Sequence, residues 1–124
     1  MALILIADDT ADIIDLLTDL LTARGHQVVS VVNGAQLIEK AKDWKPQLIV
    51  SDIVMPGAYG SSACKALQQD PETARIPVVF LTAVAPEQAR KVIPLSSNVR
   101  LVFKPIDVPV FMQVLNELLP SEKK

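Results

Sequence analysis

Five short segments of the chain are apolar almost throughout: Ala2–Ala7, Val28–Val32, Leu48–Val50, Val78–Leu81 and Val99–Phe103. Unbroken Leu, Ile and Val at this length predict strands covered on both faces, because a strand with one wet face alternates apolar and polar positions. Between these segments the spacing becomes helical. Ile13, Ile14, Leu17, Leu20 and Leu21 fall on one stripe of a helix, and Gly25 is placed to cap its C-terminus. Asn33 suits the N-cap of a second helix, and Pro46 stops that segment before the third strand. Residues 60–69 predict a third helix closed by Asp70-Pro71. Pro86-Glu87 suits the first turn of a fourth, with Pro94 near its end. Asp107, with Pro109 in the first turn, opens a last helix carrying Phe111, Val114, Leu115 and Leu118. Strand and helix alternate five times, which predicts an α/β fold: a doubly wound (βα)5 three-layer sandwich around a five-stranded parallel sheet.

Composition narrows the function classes. With 124 residues the chain is expected to form one domain over residues 1–120, followed by a frayed tail at 121–124. The longest apolar run, Met1–Ala7, is far below the ~20 residues of a membrane helix. No basic residue precedes it, so it does not read as a secretory signal. A formal charge of −2 argues against direct nucleic-acid binding. The single cysteine, Cys64, excludes an internal disulfide and suits a reducing cytoplasm. Cys64 reads as a small filler on the third helix, His26 as a surface residue, and Trp44 as cover for an edge of the second helix.

Polar groups stand where the apolar segments stop. The first ends in Asp8-Asp9, the third in Asp52, the fourth in Thr82 and the fifth in Lys104-Pro105. In doubly wound sheets ligands bind beyond the carboxyl ends of strands, where the winding reverses. If the first and third strands are neighbours, three carboxylates crowd one crevice, and they cannot all stay ionised without a cation. Carboxylates, a carbonyl and waters make a hard oxygen site that accepts Mg²⁺ and shares it with phosphoryl oxygens. A lysine and a threonine beside them suit the remaining phosphoryl charge, and an aspartate is itself a phosphoryl acceptor. Capping of the first helix is the structural alternative for Asp8-Asp9.

From end to end the chain resembles a receiver domain of the two-component response-regulator family. The matching segments are Ile4-Leu5-Ile6-Ala7-Asp8-Asp9, Asp52-Ile53-Val54-Met55-Pro56-Gly57 with Gly60, Leu81-Thr82-Ala83, and Phe103-Lys104-Pro105. Each motif alone is weak. Four in order, with 43 residues from Asp9 to Asp52, 30 to Thr82 and 22 to Lys104, are specific. The resemblance implies a flavodoxin-like fold with strand order 2-1-3-4-5. It further implies that Asp52 accepts a phosphoryl group from a sensor histidine kinase or histidine phosphotransfer protein. Asp9, Asp52 and the backbone carbonyl of Val54 would hold Mg²⁺ or Mn²⁺, with Asp8 acting through a metal-bound water. Lys104 and Thr82 would contact phosphoryl oxygens, and the small Ala83 would leave the acceptor accessible. Thr82 would act as the switch, biasing a partner surface made by the fourth helix, fifth strand and fifth helix. Such a protein is a cytoplasmic signalling receiver, not an enzyme, beyond assisting its own phosphorylation and dephosphorylation. With only a tail after the last helix, output is expected through an unidentified protein target, without membrane or nucleic acid.

Three departures from the family pattern stand out. The aromatic residue usual three positions before the lysine is replaced by Leu101. Val54 and Val84 stand two positions beyond the acceptor and the threonine. Neither side chain can orient an in-line water, so slow self-dephosphorylation is expected, shortened by Val54→Asn. The stretch 90–100 lacks the Gly-Ala pair common before the fifth strand. Three rival readings are weighed: a scaffold-type pseudo-receiver that is never phosphorylated, a Mg²⁺-dependent aspartyl-phosphate phosphohydrolase, and a flavodoxin-like binding module. The hydrolase wants Asp-x-Asp on the first strand, where Asp8-Asp9-Thr10 stands. The flavin binder wants a Ser/Thr/Gly-rich loop there, and paired aspartates would repel its phosphate.

Overall fold

A computed structural model of the chain describes residues 3–8, 10–52, 54–55, 58–71, 73–82, 99–103 and 106–119. Five parallel strands form the central sheet: β1 (Leu3–Ala7), β2 (Gln27–Val31), β3 (Leu48–Asp52), β6 (Val78–Thr82) and β7 (Val99–Phe103), in the order β2-β1-β3-β6-β7. In order of first appearance this is the expected 2-1-3-4-5 arrangement. Four helices lie among the described residues: α1 (Ala11–Thr22), α2 (Gly34–Trp44), α3 (Gly60–Gln69) and α4 (Val108–Leu118). The helix expected after Pro86 lies outside the described residues. None of the described helices is long and apolar enough to cross a membrane.

The alternation of side chains along each strand divides the core into two layers. Leu5, Ala7, Ile49, Val78 and Phe80 pack with Leu37 and Ala41 of α2 and Leu67 of α3. Ile4, Ile6, Leu48, Val50, Val79, Leu81 and Val102 pack on the other face with Leu17 and Leu21 of α1 and Phe111, Met112 and Leu115 of α4. Full two-sided coverage holds for the central strands β1 and β3. It fails at the edges, where Gln27 and Ser30 of β2 are exposed and most of β7 is half-buried. An edge strand has one neighbour and less helical cover, so its composition does not report its burial.

Local chemistry ends the helices as the sequence anticipates. The amide of Gly25 (φ 88°) donates to the Thr22 carbonyl at 3.0 Å and that of His26 to the Leu21 carbonyl at 3.1 Å. This is the 5→2 and 6→1 pair of a Schellman motif with glycine at the left-handed position. Asn33 Oδ1 accepts the Gln36 amide at 2.8 Å, while Gln36 Oε1 accepts the Val32 amide at 3.1 Å. Asp107 Oδ1 accepts the Val110 amide at 3.3 Å, with Pro109 in the first turn of α4. At the end of α2 the left-handed position is filled by Lys45 (φ 48°), just before Pro46. His26 is half-buried and Trp44 is half-exposed, so neither sits fully as expected. The Cys64 side chain lies outside the described residues.

Candidate functional site

The site is positioned by strand register. β1 and β3 are neighbours, and β2 and β6 lie on their outer sides, so the winding direction reverses between β1 and β3. Ala7 pairs with Ser51, which sets Asp8 and Asp52, each one residue further on, at the same level on adjacent strands. Neighbouring strands are spaced about 4.8 Å apart, so two carboxylate-bearing residues stand side by side at the carboxyl end of the sheet. Asp52 in turn pairs with Leu81, which brings Thr82 one step beyond the level of Asp52. Thr82 pairs with Phe103, and Lys104 follows Phe103 in the sequence.

Asp8 is 1% exposed, an unusual place for a carboxylate. Its amide donates to the Val31 carbonyl at 3.1 Å, continuing the β1–β2 ladder. Its Oδ1 accepts the Thr10 amide at 2.8 Å, an Asx-type turn that leads the chain from strand to helix. The N-cap position of α1 belongs to Thr10, whose side chain makes no capping bond. Asp8 is therefore not the N-cap of α1; its carboxylate instead accepts the amide of the N-cap residue itself. Asp52 is half-buried at the end of β3. Asp8 and Asp52 supply hard anionic oxygens of the type Mg²⁺ accepts, and the charge of a buried carboxylate calls for a cation or donors close by. Among the described residues no third metal-ligating side chain joins them.

Asp9, Ala83 and Lys104 lie outside the described residues. Val54 and Thr82 are described in their backbones only. Leu101, at the position where the family usually has an aromatic, is half-buried, packs against the α2/α3-side core and pairs with Phe80 across the β6–β7 ladder. The position itself carries an aliphatic side chain, and Phe103 pairs with Thr82 in the β6–β7 ladder.

Two features escaped the sequence reading. Between β3 and α3 runs a short antiparallel ribbon, β4 (Val54–Met55) and β5 (Ala58–Tyr59), with Val54 paired to Tyr59 and Met55 to Ala58. The Pro56-Gly57 dipeptide between them was the available signal. The second is Ser51, 1% exposed, whose Oγ donates to the Asp52 carbonyl at 2.8 Å. A serine closing an aliphatic strand was its only mark.

The response regulator receiver domain family model matches residues 4–116 of the chain. The chain is 36% identical over 120 residues to the protein PilH of Pseudomonas aeruginosa, covering 96% of this chain and 98% of that one. It is 30% identical over 116 residues to the polar-differentiation response regulator DivK of Brucella anthropi, covering 94% of each. Among solved structures, the receiver domain of a sensor histidine kinase from Pseudomonas aeruginosa, with a magnesium ion coordinated in its active site cleft, superposes with a TM-score of 0.87 at 23% identity, over 97% of this chain and 98% of that one. The chemotaxis protein CheY4 of Vibrio cholerae superposes with a TM-score of 0.82 at 24% identity, over 96% and 99%. At these identities the structural likenesses speak for the fold alone.

Proposed function

The chain belongs to the response regulator receiver domain family of two-component signalling, and we propose that within it this protein stores a phosphoryl group on Asp52. The observation that carries the reading is the level pairing of Asp8 and Asp52 at the sheet's winding reversal, with Asp8 almost wholly shielded from water. Two carboxylates at one level, one of them buried, call for positive charge or donors nearby, and a divalent cation meets that need. Asp9, Asp52 and the Val54 carbonyl would hold Mg²⁺, with Asp8 orienting a water between them. When bound, Mg²⁺ supplies charge neutralisation for the carboxylates and for the phosphoryl oxygens.

The remaining chemistry falls to the chain itself. An Asp52 carboxylate oxygen attacks the phosphorus of a phosphohistidine on a sensor kinase or phosphotransfer protein. A P–O bond forms, the P–N bond breaks, and the imidazole leaves with the electron pair. Lys104 meets the charge on the phosphoryl oxygens, and Ala83 keeps the approach open. Thr82 gains a charge-assisted hydrogen bond only in the phosphorylated state, and that difference in bonding shifts the population of its loop and of the adjoining surface for a protein target. Return to the resting state requires water to attack the same phosphorus. Val54 and Val84 cannot orient that water, so the phosphorylated form is long-lived. A protein of this kind acts in the cytoplasm as a signalling component.

The test is intact-mass spectrometry after incubation with Mg²⁺ and acetyl phosphate. The parent is expected to gain one phosphoryl adduct that Asp52→Asn lacks. Turnover of acetyl phosphate with no adduct favours a hydrolase, and an adduct that survives in Asp52→Asn refutes the acceptor assignment.

A further inference from the structure

Only three described polar side chains are fully buried: Asp8, Ser51 and Thr73. Thr73 is accounted for by its hydrogen bond to the Leu67 carbonyl at 2.7 Å, which ties down the turn after α3. Ser51 serves no turn or cap. It follows Leu48-Ile49-Val50 in a strand whose first four residues are all buried, where an alanine would fill much the same space with no hydroxyl to satisfy. A buried hydroxyl lowers stability unless it is bonded. Its partner here is the carbonyl of the neighbouring residue, Asp52, at 2.8 Å.

The position of that bond gives it a consequence for the site. Successive residues of a strand face opposite sides of the sheet. Ile49 packs on the α2/α3 side and Val50 on the α1/α4 side, so the hydroxyl grips the acceptor's main chain next to, and not within, the carboxylate crevice. β3 ends at Asp52, and the chain enters the β4–β5 ribbon at Val54. The Asp52 carbonyl therefore belongs to the last residue of β3, two residues before the Val54 carbonyl at the start of the ribbon. Rotating that peptide would move the proposed carbonyl ligand relative to the carboxylate.

We infer that Ser51 is a positioning residue whose hydroxyl, by holding the Asp52 carbonyl, keeps the acceptor carboxylate and the Val54 carbonyl in register for one divalent cation. This rests on the phosphoacceptor reading above. Groups that orient metal ligands without touching the metal typically carry tenfold or more of the affinity.

The experiment titrates Mg²⁺ alone into the full chain by calorimetry for the parent, Ser51→Ala and Ser51→Thr, with thermal melts in EDTA to follow folding separately. Ser51→Ala is expected to raise the Mg²⁺ Kd about tenfold while remaining folded, and Ser51→Thr, which keeps the hydroxyl, to restore the parent value. Unchanged affinity in Ser51→Ala overturns the inference, as does an equal loss in both variants, which would trace the effect to packing. A parent that binds no Mg²⁺ defeats the phosphoacceptor reading itself and this inference with it. A parent that binds normally beside an unaffected Ser51→Ala defeats only the latter.

Discussion

Asp8→Asn separates a site under electrostatic load from an ordinary turn. Asn keeps an oxygen for the 2.8 Å bond from the Thr10 amide, so the local turn survives the change. What disappears is a charge at a position 1% exposed, level with Asp52 on the neighbouring strand. Two unit charges roughly 5 Å apart repel by about 3 kcal/mol at an effective dielectric of ~20 and by half of that at ~40. Part of this relief is offset, because a hydrogen bond to a neutral acceptor is weaker than one to a carboxylate by about 1 kcal/mol. The net expectation is stabilisation by about 1 kcal/mol without divalent cation. Mg²⁺ should reverse the order. A ligand that binds only the folded state stabilises it by RT ln(1 + [L]/Kd), about 1.4 kcal/mol at tenfold its Kd, and Asp8→Asn is expected to forfeit most of that gain. Urea denaturation of both proteins, in EDTA and in Mg²⁺, reads all four states, with equal m values showing that the comparison is fair. The reasoning is refuted if Asp8→Asn is less stable than the parent in EDTA and gains as much as the parent from Mg²⁺.

Three further substitutions probe the frame. Asn33→Ala removes the side chain that accepts the Gln36 amide at the start of α2 and should cost about 1 kcal/mol in urea melts, with Mg²⁺ binding unaltered. Thr73→Val leaves the buried Leu67 carbonyl without its 2.7 Å donor and should cost about 1–2 kcal/mol in the same assay, again without touching the Mg²⁺ response. Lys45→Gly relieves a non-glycine residue held at φ 48°. The left-handed conformation costs about 1–2 kcal/mol in an L-residue and glycine loses about 0.5–1 in chain entropy, so a net gain of about 0.5 kcal/mol is expected, visible as a higher melting temperature.

The same distinction between local and distant causes divides what the chain reveals before folding from what folding adds. Five strands, the helices that alternate with them, and the residues that end them are written in local terms. Leu and Ile runs, with Val50 in β3, mark β1 and β3. Asn33 and Asp107 each bond an amide three residues ahead, and Gly25 sits where only a residue tolerant of positive φ ends a helix cheaply. Such features depend on neighbours within a turn or two, so the order of residues is enough. The candidate site was legible for a related reason: Asp8 and Asp52 each terminate an apolar run, and an aspartate there is conspicuous in any context.

Adjacency is another matter. That β1 lies between β2 and β3, so that Asp8 and Asp52 share a level, depends on which strands pair and in what register. Those choices are set by how two helical layers cover one twisted sheet, not by any single segment. Nor does an apolar run by itself separate an edge strand from a central one: β2 and β7 each carry three Val or Leu residues in five, and they are partly exposed because each lacks a neighbour on one side. The hairpin after Asp52 and the hydrogen bond from Ser51 came from the folded chain alone. A serine's role is decided by the carbonyl its hydroxyl meets, and burial on both faces of β3 leaves it no water to choose instead.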